Sequence, residues 1–376
     1  MKILQLGKFF PIKGGVEKVM YDLTMGFSKR GISCDMLCAS SDNSFKAKHF
    51  KLNEFANIFV EPSLIEVAKT KISFSLILKL KKICKEYDVI HIHHPDPLVA
   101  LALFFSGYKG SVILHWHSDI LKQKTFLKFY KYLQNWLIHR SNAVIVTSPN
   151  YLEGSDTLQK TKHKTYIVPI GIVDPLNFYS EEIVDKIKLK FNNKKMIFSL
   201  GRLVPYKGFE YLIDAAKDLP DDFVILIGGN GSLKKDLESR IIYNNLTDKV
   251  KLLGFLEERD MYSYFKAADL FCLSSIEKTE AFAIVQLEAM AFSKPIVATN
   301  ILGSGVPWVN KNLVSGINVQ PKNSLELAKG ITSLLENDNL YKQISVSSRN
   351  RFLNEFTLDK SLDKIYDIYL KIIRNS

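Results

Sequence analysis

The stretch MIFSLGRLVPYKG, residues 196–208, decides the fold of the second half of the chain. Its first part, Met196–Leu200, is almost entirely apolar and has the length of a strand buried in a parallel sheet. Gly201 follows at once, and Arg202 and Lys207 then provide two cations. Ligands of open parallel sheets bind beyond the carboxyl ends of the strands. The stretch therefore predicts a diphosphate site, with a bidentate arginine and a lysine acting as a point charge. Taken alone, it also fits surface cations around a proline-containing turn.

Other short apolar runs rich in Ile, Val and Leu alternate with stretches of helical period along the whole chain. This alternation is typical of βαβ units and parallel sheets. The runs form two series, which are 3–6, 34–38, 89–93, 111–115, 143–147 and 165–168, followed by 196–200, 224–227, 250–253, 270–273, 296–298 and 316–319. The sequence therefore predicts an α/β protein with two Rossmann-like domains, each a doubly wound parallel sheet, whose ligand sites share a cleft.

The boundary between the two series lies where the pattern breaks at Gly171–Pro175 and gives way to the polar stretch 180–195. We therefore predict domains over residues 1–174 and 175–356, and 376 residues suit two domains of ordinary size. Apolar residues at helical spacing between 357 and 373 predict an amphipathic terminal helix.

Composition and charge restrict the class of protein and its partners. An apolar content of 47% with 24% charged residues is that of a globular chain. The net charge of +12 is concentrated in residues 1–170, which hold 24 Lys and Arg against 13 Asp and Glu, whereas the remainder holds 27 against 26. This asymmetry predicts that the first half meets nucleic acid or an anionic membrane surface, unless it serves solubility alone.

The sequence also carries expectations about location. The longest apolar run falls short of the roughly 20 residues of a membrane-spanning helix, and the first residues fit a buried strand better than a secretory leader. The four cysteines form no C-x-x-C pair, which indicates a reducing compartment. We therefore expect a cytoplasmic protein.

Two more segments carry candidate ligand-binding groups. Gly14 and Gly15 precede a predicted helix, whose free N–H groups and dipole favour a phosphate, although two glycines also suit a plain turn. The segment EAFAIVQLEAMA, residues 280–291, predicts Glu280 and Glu288 on one face of a helix, with Glu280 at its start. A buried Glu288 would need a partner, either ligand hydroxyls or a structural ion pair.

Histidines cluster at the ends of two predicted strands of the first half, at His91, His93, His94, His115 and His117. Such a cluster is compatible with a metal site, but acidic or cysteine ligands do not accompany it, and we predict no metal. The preferred interpretation is a histidine, or Asp119, that orients a substrate. The sequence has no Asp-x-Asp clamp, no G-x-x-x-x-G-K-[ST] loop, and no G-x-G-x-x-G after a strand, which disfavours phosphate-loop and dehydrogenase folds.

Together these motifs resemble glycosyltransferase family 4, retaining enzymes of the GT-B fold, over nearly the whole chain. The resemblance rests on four motifs, namely Gly14-Gly15, Trp116-His117-Ser118-Asp119, Gly-Arg-x4-Lys-Gly at 201–208, and Glu-x7-Glu at 280 and 288. Residues 93–97 and 117–119 further resemble bacterial mannosyltransferases of the phosphatidylinositol and O-antigen type. The resemblance implies an acceptor-binding first domain, a donor-binding second domain, and a C-terminal helix, residues 357–376, that crosses back to the first domain.

For the donor, the resemblance implies a role for each motif. Arg202 and Lys207 would bind the diphosphate, and Gly14 and Gly15 would add backbone N–H contacts. Glu288 would hold the ribose hydroxyls. Contacts to the transferred sugar and its phosphate would come from Glu280 and from the backbone of Phe282, Ala283 and Ile284.

For catalysis, the resemblance implies that His117 lies near the reacting face of the sugar, with His94 and Asp119 as further candidates on that face. The acceptor hydroxyl would attack on the face that the diphosphate leaves, and phosphate oxygens would take its proton. Arg202 and Lys207 would stabilise the leaving group. This route requires no metal and no other cofactor. The family usually has glycine where this chain has alanine at 281 and 283, and alanine is small enough to preserve the loop.

The expected substrates and partners follow from two basic segments and from the resemblance. Segments 74–82 and 121–140 mix cations with aromatic and aliphatic residues, as helices lying on an anionic leaflet do, or they simply cover the first sheet. We expect transfer of mannose from GDP-mannose to a lipid-linked or saccharide acceptor of O-antigen assembly, at the inner membrane surface and without nucleic acid. The alternatives are a UDP-sugar donor, a sugar-nucleotide epimerase of the same fold, and a non-catalytic nucleotide-sugar-binding or nucleic-acid-binding protein.

Overall fold

The structure of the chain is a computed structural model that describes residues 1–12, 14–42, 45–63, 65–67, 70–120, 124–191 and 194–374. It divides into two compact units. Unit 1 consists of Met1–Ile170 and Leu358–Ser376, and unit 2 consists of Gly171–Thr357. Two parts of predicted motifs, Lys13 beside the glycine pair and residues 121–123 of the second basic segment, lie outside the described residues.

Strands and helices alternate in both units. The strands of unit 1 are β1 (Lys2–Phe10), β2 (Ser33–Ser40), β3 (Lys48–Lys51), β4 (Asn57–Glu61), β5 (Ile65–Val67), β6 (Thr70–Ile72), β7 (Val89–His94), β8 (Ser111–Trp116), β9 (Ala143–Val146) and β10 (Thr165–Ile167). Those of unit 2 are β11 (Lys195–Leu200), β12 (Phe223–Gly228), β13 (Val250–Gly254), β14 (Leu270–Leu273), β15 (Ile296–Thr299) and β16 (Gly316–Val319).

The helices follow the same division. Unit 1 contains α1 (Gly15–Lys29), α2 (Phe74–Ile83), α3 (Pro97–Ser106), α4 (Lys124–Arg140), α5 (Pro149–Glu153) and α6 (Asp156–Gln159). Unit 2 contains α7 (Glu181–Lys190), α8 (Phe209–Ala215), α9 (Lys234–Tyr243), α10 (Glu258–Ala267), α11 (Val285–Ala291), α12 (Val306–Val309), α13 (Ser324–Leu335) and α14 (Asp338–Arg351). The last helix, α15 (Leu358–Arg374), belongs to unit 1.

The main sheet of unit 1 has eight strands in the order β10-β9-β8-β7-β1-β2-β4-β3. All neighbours are parallel except the edge strand β3, which runs antiparallel to β4. The chain moves outward from β1 on one side and then returns to the other side at β7. The strand order therefore reverses between β1 and β7, which is where ligands of such sheets bind.

The sheet of unit 2 has six parallel strands in the order β13-β12-β11-β14-β15-β16. This is the strand order of a Rossmann fold, with its reversal between β11 and β14. Fully buried Ile197, Ile225, Leu270 and Val297 of four neighbouring strands belong to one hydrophobic core. The prediction of two Rossmann-like α/β units is confirmed. Gly201 follows β11 directly, so the motif at 201–208 starts at the reversal.

The terminal helix α15 packs on α1 within unit 1. Leu362 and Ile365 are buried, and a Cβ on Gly26 of α1 would lie 2.5 Å from Leu362 Cδ1. The close approach therefore depends on a residue without a side chain. Arg30, just after α1, forms ion pairs of 2.6 and 2.7 Å with Asp359 and Asp363 of α15.

Candidate functional site

Lys207 and Glu280 form the centre of the candidate site in unit 2. Lys207 Nζ lies 2.5 Å from Glu280 Oε2, and both side chains are about nine-tenths buried, with exposures of 10% and 11%. Ser275 Oγ donates a 2.9 Å hydrogen bond to the same carboxylate oxygen. Ser275 follows β14 and Lys207 follows β11, so the strand reversal brings these groups together.

Gly208 fixes the backbone at this position. It has φ +62°, a left-handed conformation that L side chains adopt at a cost, and a Cβ there would lie 2.3 Å from the carbonyl oxygen of Ser274. Ser274 Oγ also donates to the carbonyl of Lys207, at 3.0 Å. A side chain of the loop after β14 therefore binds the backbone of the loop after β11. This bond holds Lys207 against Glu280.

The second half of the Glu-x7-Glu motif departs from the prediction. The helix expected over 280–291 begins only at Val285, because Ala283 has φ +63° and interrupts any helical path from Glu280. The carbonyl of Glu280 accepts a 2.5 Å hydrogen bond from Ser304 Oγ, and the Gly305 amide donates to the Ala281 carbonyl at 2.8 Å. These long-range bonds hold the segment as a loop. The expectation that both glutamates lie on one helix is therefore wrong.

The loop offers backbone donors in place of a helical turn. The amides of Phe282, Ala283 and Ile284 donate no hydrogen bond to any residue that the structure describes. Glu288 lies on α11 and is half-buried rather than fully buried. It remains the candidate for the ribose hydroxyls.

Arg202 is the exposed member of the unit 2 site. Its Nη2 donates a 3.2 Å hydrogen bond to the hydroxyl of Tyr206, four residues further along the same loop. The side chain is otherwise accessible to a ligand. The backbone beside it is tightly packed, because a Cβ on Gly229 would lie 1.9 Å from the Gly201 carbonyl oxygen.

Gly14 and Gly15 lie after β1 in unit 1, at the start of α1. Gly14 is the N-terminal cap of this helix, with φ −159°, an extended conformation open to any residue. A Cβ on Gly14 would lie 2.8 Å from the carboxylate of Glu17, which is the end of a flexible side chain. The role of the two glycines in contacting a phosphate stays a prediction.

His117 follows β8 and is one of four histidines stacked across β7 and β8. The ring centroids of His93 and His117 lie 5.2 Å apart, and those of His115 and His117 lie 4.2 Å apart. Burial lowers the pKa of His117 well below its usual value, and the neighbouring histidines and Lys8 lower it further. His117 is therefore a neutral imidazole, which can orient a hydroxyl through a hydrogen bond.

His94 and Asp119, the other candidates on the sugar face, are bound into the protein. His94 is buried, its ring stacks on Trp116 at 3.7 Å between centroids, and its Nε2 lies 3.2 Å from Gln134 Nε2. Burial lowers its pKa to about 3. Asp119 Oδ1 accepts from Trp116 Nε1 at 3.0 Å and from Ser155 Oγ at 2.9 Å. Both side chains have structural partners, and their contact with a substrate stays a prediction.

Three of the histidines could be considered as metal ligands. One ring nitrogen each of His91, His93 and His115 lies within 4.8 Å of the others. Burial lowers the pKa of all three, to about 3 for His115 and well below the usual value for His91 and His93, so the surroundings disfavour added positive charge. Both ring nitrogens of His91 and His93 already have hydrogen-bond partners.

A cavity of about 730 Å³ opens beside Asp119 in unit 1. Its lining carries more cationic than acidic side chains: Lys131, Lys160 and Lys164 against Asp119 and Asp156. Gln134, which contacts His94, is also part of the lining. The cavity therefore adjoins the segment of His117.

Several residues of these sites were not among the predicted ones. Ser275 binds the carboxylate of Glu280 from the same loop after β14, and Ser304 binds its carbonyl from the loop after β15. No local signal marks either serine. Lys8, on β1, lies near enough to His117 and His94 to lower the pKa of both. Gln5 was detectable in principle, because it is a polar residue inside an otherwise apolar buried strand.

Two family models match the chain, one for each half. The model described as Glycosyltransferase Family 4 matches residues 13–174. The model described as Glycosyl transferases group 1 matches residues 180–351. The motifs at 201–208 and 280–288 fall within the second match, and the glycine pair and His117 fall within the first.

Curated relatives resemble the chain over nearly its full length. It is 28% identical to an O-antigen chain mannosyltransferase C of Escherichia coli, over 100% of both chains. It is 26% identical to a UDP-Gal:alpha-D-GlcNAc-diphosphoundecaprenol alpha-1,3-galactosyltransferase of the same species, over 98% of this chain and 96% of that one. The crystal structure of Anabaena Alr3699/HepE in complex with UDP superposes with a TM-score of 0.78 at 24% identity, covering 99% of this chain and 100% of that one.

Proposed function

Because the chain belongs to glycosyltransferase family 4 and is a glycosyltransferase, we propose that it transfers mannose from GDP-mannose, with retention of configuration, to a lipid-linked or saccharide acceptor. The observation that carries the proposal is the buried Lys207–Glu280 pair at the strand reversal of unit 2. A diphosphate placed there would meet the fixed ammonium of Lys207 and the accessible guanidinium of Arg202.

In this proposal the unit 2 groups act mainly on the leaving diphosphate. Arg202 and Lys207 stabilise the negative charge that develops as the glycosidic bond breaks, which is a large term when the donors are already in place. The free amides of Phe282, Ala283 and Ile284 add hydrogen bonds to phosphate or sugar oxygens. Glu280 holds Lys207 in place and is itself fixed by Ser275, so little reorganisation is needed.

The choice of donor follows the similarity to the mannosyltransferase. The galactosyltransferase relative is named for a UDP-sugar, and the superposed crystal structure holds UDP. A UDP-hexose is therefore the second candidate. An epimerase of the same fold is the third, and it would convert the donor without any acceptor.

Donor binding can be tested by thermal unfolding with EDTA present and with GDP, GDP-mannose, UDP or UDP-glucose added. A ligand that binds only the folded state stabilises it by about 2.7 kcal/mol at a concentration 100 times its Kd. We expect GDP and GDP-mannose to raise Tm, Arg202→Ala to abolish the increase, and Arg259→Ala, an exposed arginine on α10, to retain it. An increase with UDP compounds alone would replace the donor, and no increase with any nucleotide would contradict the proposal.

The reaction can be tested by incubating GDP-mannose with a polyprenyl-diphosphate oligosaccharide or a free saccharide. NMR of the product reports the anomeric configuration, and we expect the α configuration of the donor to be retained. An inverted product would contradict the mechanism. A free epimer of the donor sugar, formed without acceptor, would support the epimerase.

We further propose that unit 1 binds an anionic membrane surface through α2. Phe74 and Leu78 are 72% and 68% exposed one helical turn apart, and Lys81 and Lys82 are exposed on the next turn. Such an apolar and basic face inserts shallowly into an anionic leaflet. Among the described residues, no helix has both the length and the apolar character needed to cross a bilayer.

Sedimentation with lipid vesicles tests this surface. We expect binding to phosphatidylglycerol vesicles that weakens at high salt and little binding to phosphatidylcholine vesicles. Leu78→Ser should reduce the binding, whereas Tyr243→Ser, at an exposed position in unit 2, should not. Equal recovery of the wild type in the supernatant with both vesicle types would contradict the proposal.

A further inference from the structure

Six buried side chains of unit 1 form one continuous chain of hydrogen bonds, which we call the histidine network. Its members come from β1, β7, β8, the residue after β8, and α15. They are Gln5, His91, His93, His115, His117 and Tyr369. None is more than 6% exposed. His117 ends one branch of the network, and Gln5 joins the two branches.

The first branch runs from Gln5 to His117. Gln5 Oε1 lies 2.8 Å from His93 Nε2, and His93 Nδ1 lies 2.9 Å from His117 Nε2. A carbonyl oxygen only accepts, so His93 carries its proton on Nε2. Burial lowers the pKa of both rings well below the usual value, so each is neutral and carries one proton. His93 Nδ1 must therefore accept, and His117 donates from Nε2.

The second branch runs from Gln5 to His115. Gln5 Nε2 donates to the Tyr369 hydroxyl at 3.1 Å, and this hydroxyl lies 2.6 Å from His91 Nδ1. Because the hydroxyl accepts from Gln5, its own proton points to His91. His91 then donates from Nε2 to His115 Nδ1, at 3.2 Å. His115 Nε2, which keeps the proton, has no partner among the described residues.

The orientation of the Gln5 amide follows from counting unsatisfied groups. In the orientation above, its NH₂ group faces both the Tyr369 hydroxyl and the sulfur of Cys34, at 3.7 Å. Only the N–H of His115 is left without an acceptor. The reversed amide would leave one of its own N–H groups and a ring nitrogen of His115 unsatisfied. Since leaving a buried donor unsatisfied costs free energy, the first orientation is favoured.

We propose that Gln5 is a positioning residue that sets the tautomer of His117, so that His117 Nδ1 is presented as a hydrogen-bond acceptor to a hydroxyl of the sugar substrate. This step rests on the proposed function. His117 Nδ1 makes no hydrogen bond to the described residues and is not among their buried unsatisfied atoms, so it is available to a ligand. A hydroxyl bound there must donate, which fixes its orientation.

The tautomer is tested first in the ligand-free protein, independently of activity. In ¹⁵N-histidine-labelled protein, long-range ¹H–¹⁵N correlation spectra report which ring nitrogen carries the proton. We expect His117, assigned by loss of its signals in His117→Gln, to be protonated at Nε2 only. Protonation at Nδ1 in the wild type would overturn the proposal even if donor binding and transfer were established.

Two variants then separate positioning from general support of the fold. Gln5→Leu removes the acceptor of His93 and frees both tautomers, so we expect mixed His117 signals and a kcat about 10-fold lower, as for one lost hydrogen bond of roughly 1.4 kcal/mol. The KM for the nucleotide-sugar should be unchanged. Tyr369→Phe removes the hydroxyl of the branch to His91 but leaves Cys34 Sγ as a partner of Gln5 Nε2 and Gln5 Oε1 as the acceptor of His93. It is therefore the matched control, with the His117 signals and kcat retained.

A positioning role of Gln5 and a general role in supporting the fold predict different results for the two variants. Equal loss of kcat in Gln5→Leu and Tyr369→Phe, or unchanged His117 signals in Gln5→Leu, would overturn the positioning role. If Gln5→Leu does not fold, the wild-type spectrum still tests the proposal, because the proposal requires the Nε2 tautomer of His117 in the wild type. Failure of the donor-binding test with the expected tautomer would instead reject the proposed substrate and leave the network intact.

Discussion

At the residue scale, Lys207 and Glu280 illustrate how much a buried charge depends on the opposite charge beside it. Each side chain is nearly buried, and each charge is compensated mainly by the other. Removing one member of a buried ion pair leaves an uncompensated charge, whereas an exposed pair contributes little.

We therefore predict that Glu280→Gln destabilises unit 2 by about 3 kcal/mol, a fall in Tm of roughly 6–12 °C. Differential scanning calorimetry measures it. The control is Glu182→Gln, which breaks a Lys186 ion pair whose side chains are 69% and 75% exposed, and which should leave Tm almost unchanged. Similar shifts for the two variants would show that burial does not control this interaction.

Gly208 gives a second prediction at the same scale. Alanine there would add the cost of a left-handed residue, about 1–2 kcal/mol, to a contact of its Cβ at 2.3 Å with the Ser274 carbonyl. Gly107 has a similar φ, +68°, but nothing within 4 Å of its Cβ position. By thermal unfolding, Gly208→Ala should cost at least twice as much as Gly107→Ala. Equal costs would contradict the contact with Ser274.

At the scale of elements, α1 and α15 approach each other closely at Gly26. Alanine at this position gains helix propensity of about 0.5–1 kcal/mol relative to glycine but meets Leu362 Cδ1 at 2.5 Å. The two positions should therefore be strongly coupled. We expect Gly26→Ala and Leu362→Ala each to be destabilising, and the double variant to be less destabilising than the sum by at least 0.5 kcal/mol. Additive values in a thermal double-mutant cycle would argue against this contact. They are expected for Gly107→Ala with Leu362→Ala, because a Cβ on Gly107 meets nothing within 4 Å.

Elements differ in how well the sequence predicted them. The predicted apolar strands all exist, and the terminal helix expected over 357–373 runs from Leu358 to Arg374. Strand β3 was missed because all four of its residues are exposed and three of them, Lys48, His49 and Lys51, are polar, so no apolar run marks it. The predicted start of α11 was wrong because hydrogen bonds from Ser304 and Gly305 hold residues 280–281 in a loop. Local periodicity contains no information about such partners.

Parts of the candidate site also differ in how well the sequence predicted them. The motif around Arg202 and Lys207 was predicted because it follows a buried strand, and strand topology alone places it at the sheet reversal. The contact of Lys207 with Glu280 was not predicted, since it requires the register of β11 against β14. The histidine network depends likewise on three neighbouring strands and on α15.

For the whole molecule, the buried histidines predict how the stability of unit 1 depends on pH. The pKa values of His91, His93, His94, His115 and His117 all lie below the ordinary value because of burial. Below about pH 6.5 the unfolded chain therefore binds more protons than the folded one, and stability falls as pH decreases. Each such histidine contributes up to about 1.4 kcal/mol per pH unit. Burial raises the pKa of Asp96 to about 6. The folded chain therefore keeps a single proton on Asp96 that the unfolded chain releases, which opposes the effect of the histidines on stability.

We expect the unfolding transition of unit 1 to move to lower temperature between pH 7 and pH 5, well beyond that of unit 2, which contains none of these five histidines. Calorimetry at several pH values measures both transitions. In His94→Asn, which removes one titrating ring, the pH dependence should be shallower. A transition of unit 1 that is independent of pH in this range would contradict the neutral state of the cluster.

The division of the chain between the units also has a consequence during its synthesis. Unit 1 takes its first strand from the beginning of the described chain and its last helix from Leu358–Arg374. During translation, the hydrogen bonds of Gln5 and His91 with Tyr369 can therefore form only after the whole of unit 2 has been translated. Unit 2, whose residues are contiguous, needs no later segment to complete its core, since domains generally fold as units while the chain emerges. A chain released after Thr357 would thus carry the whole of unit 2 and a unit 1 without α15, in which Gly26 lacks its contact with Leu362 and Gln5 lacks Tyr369.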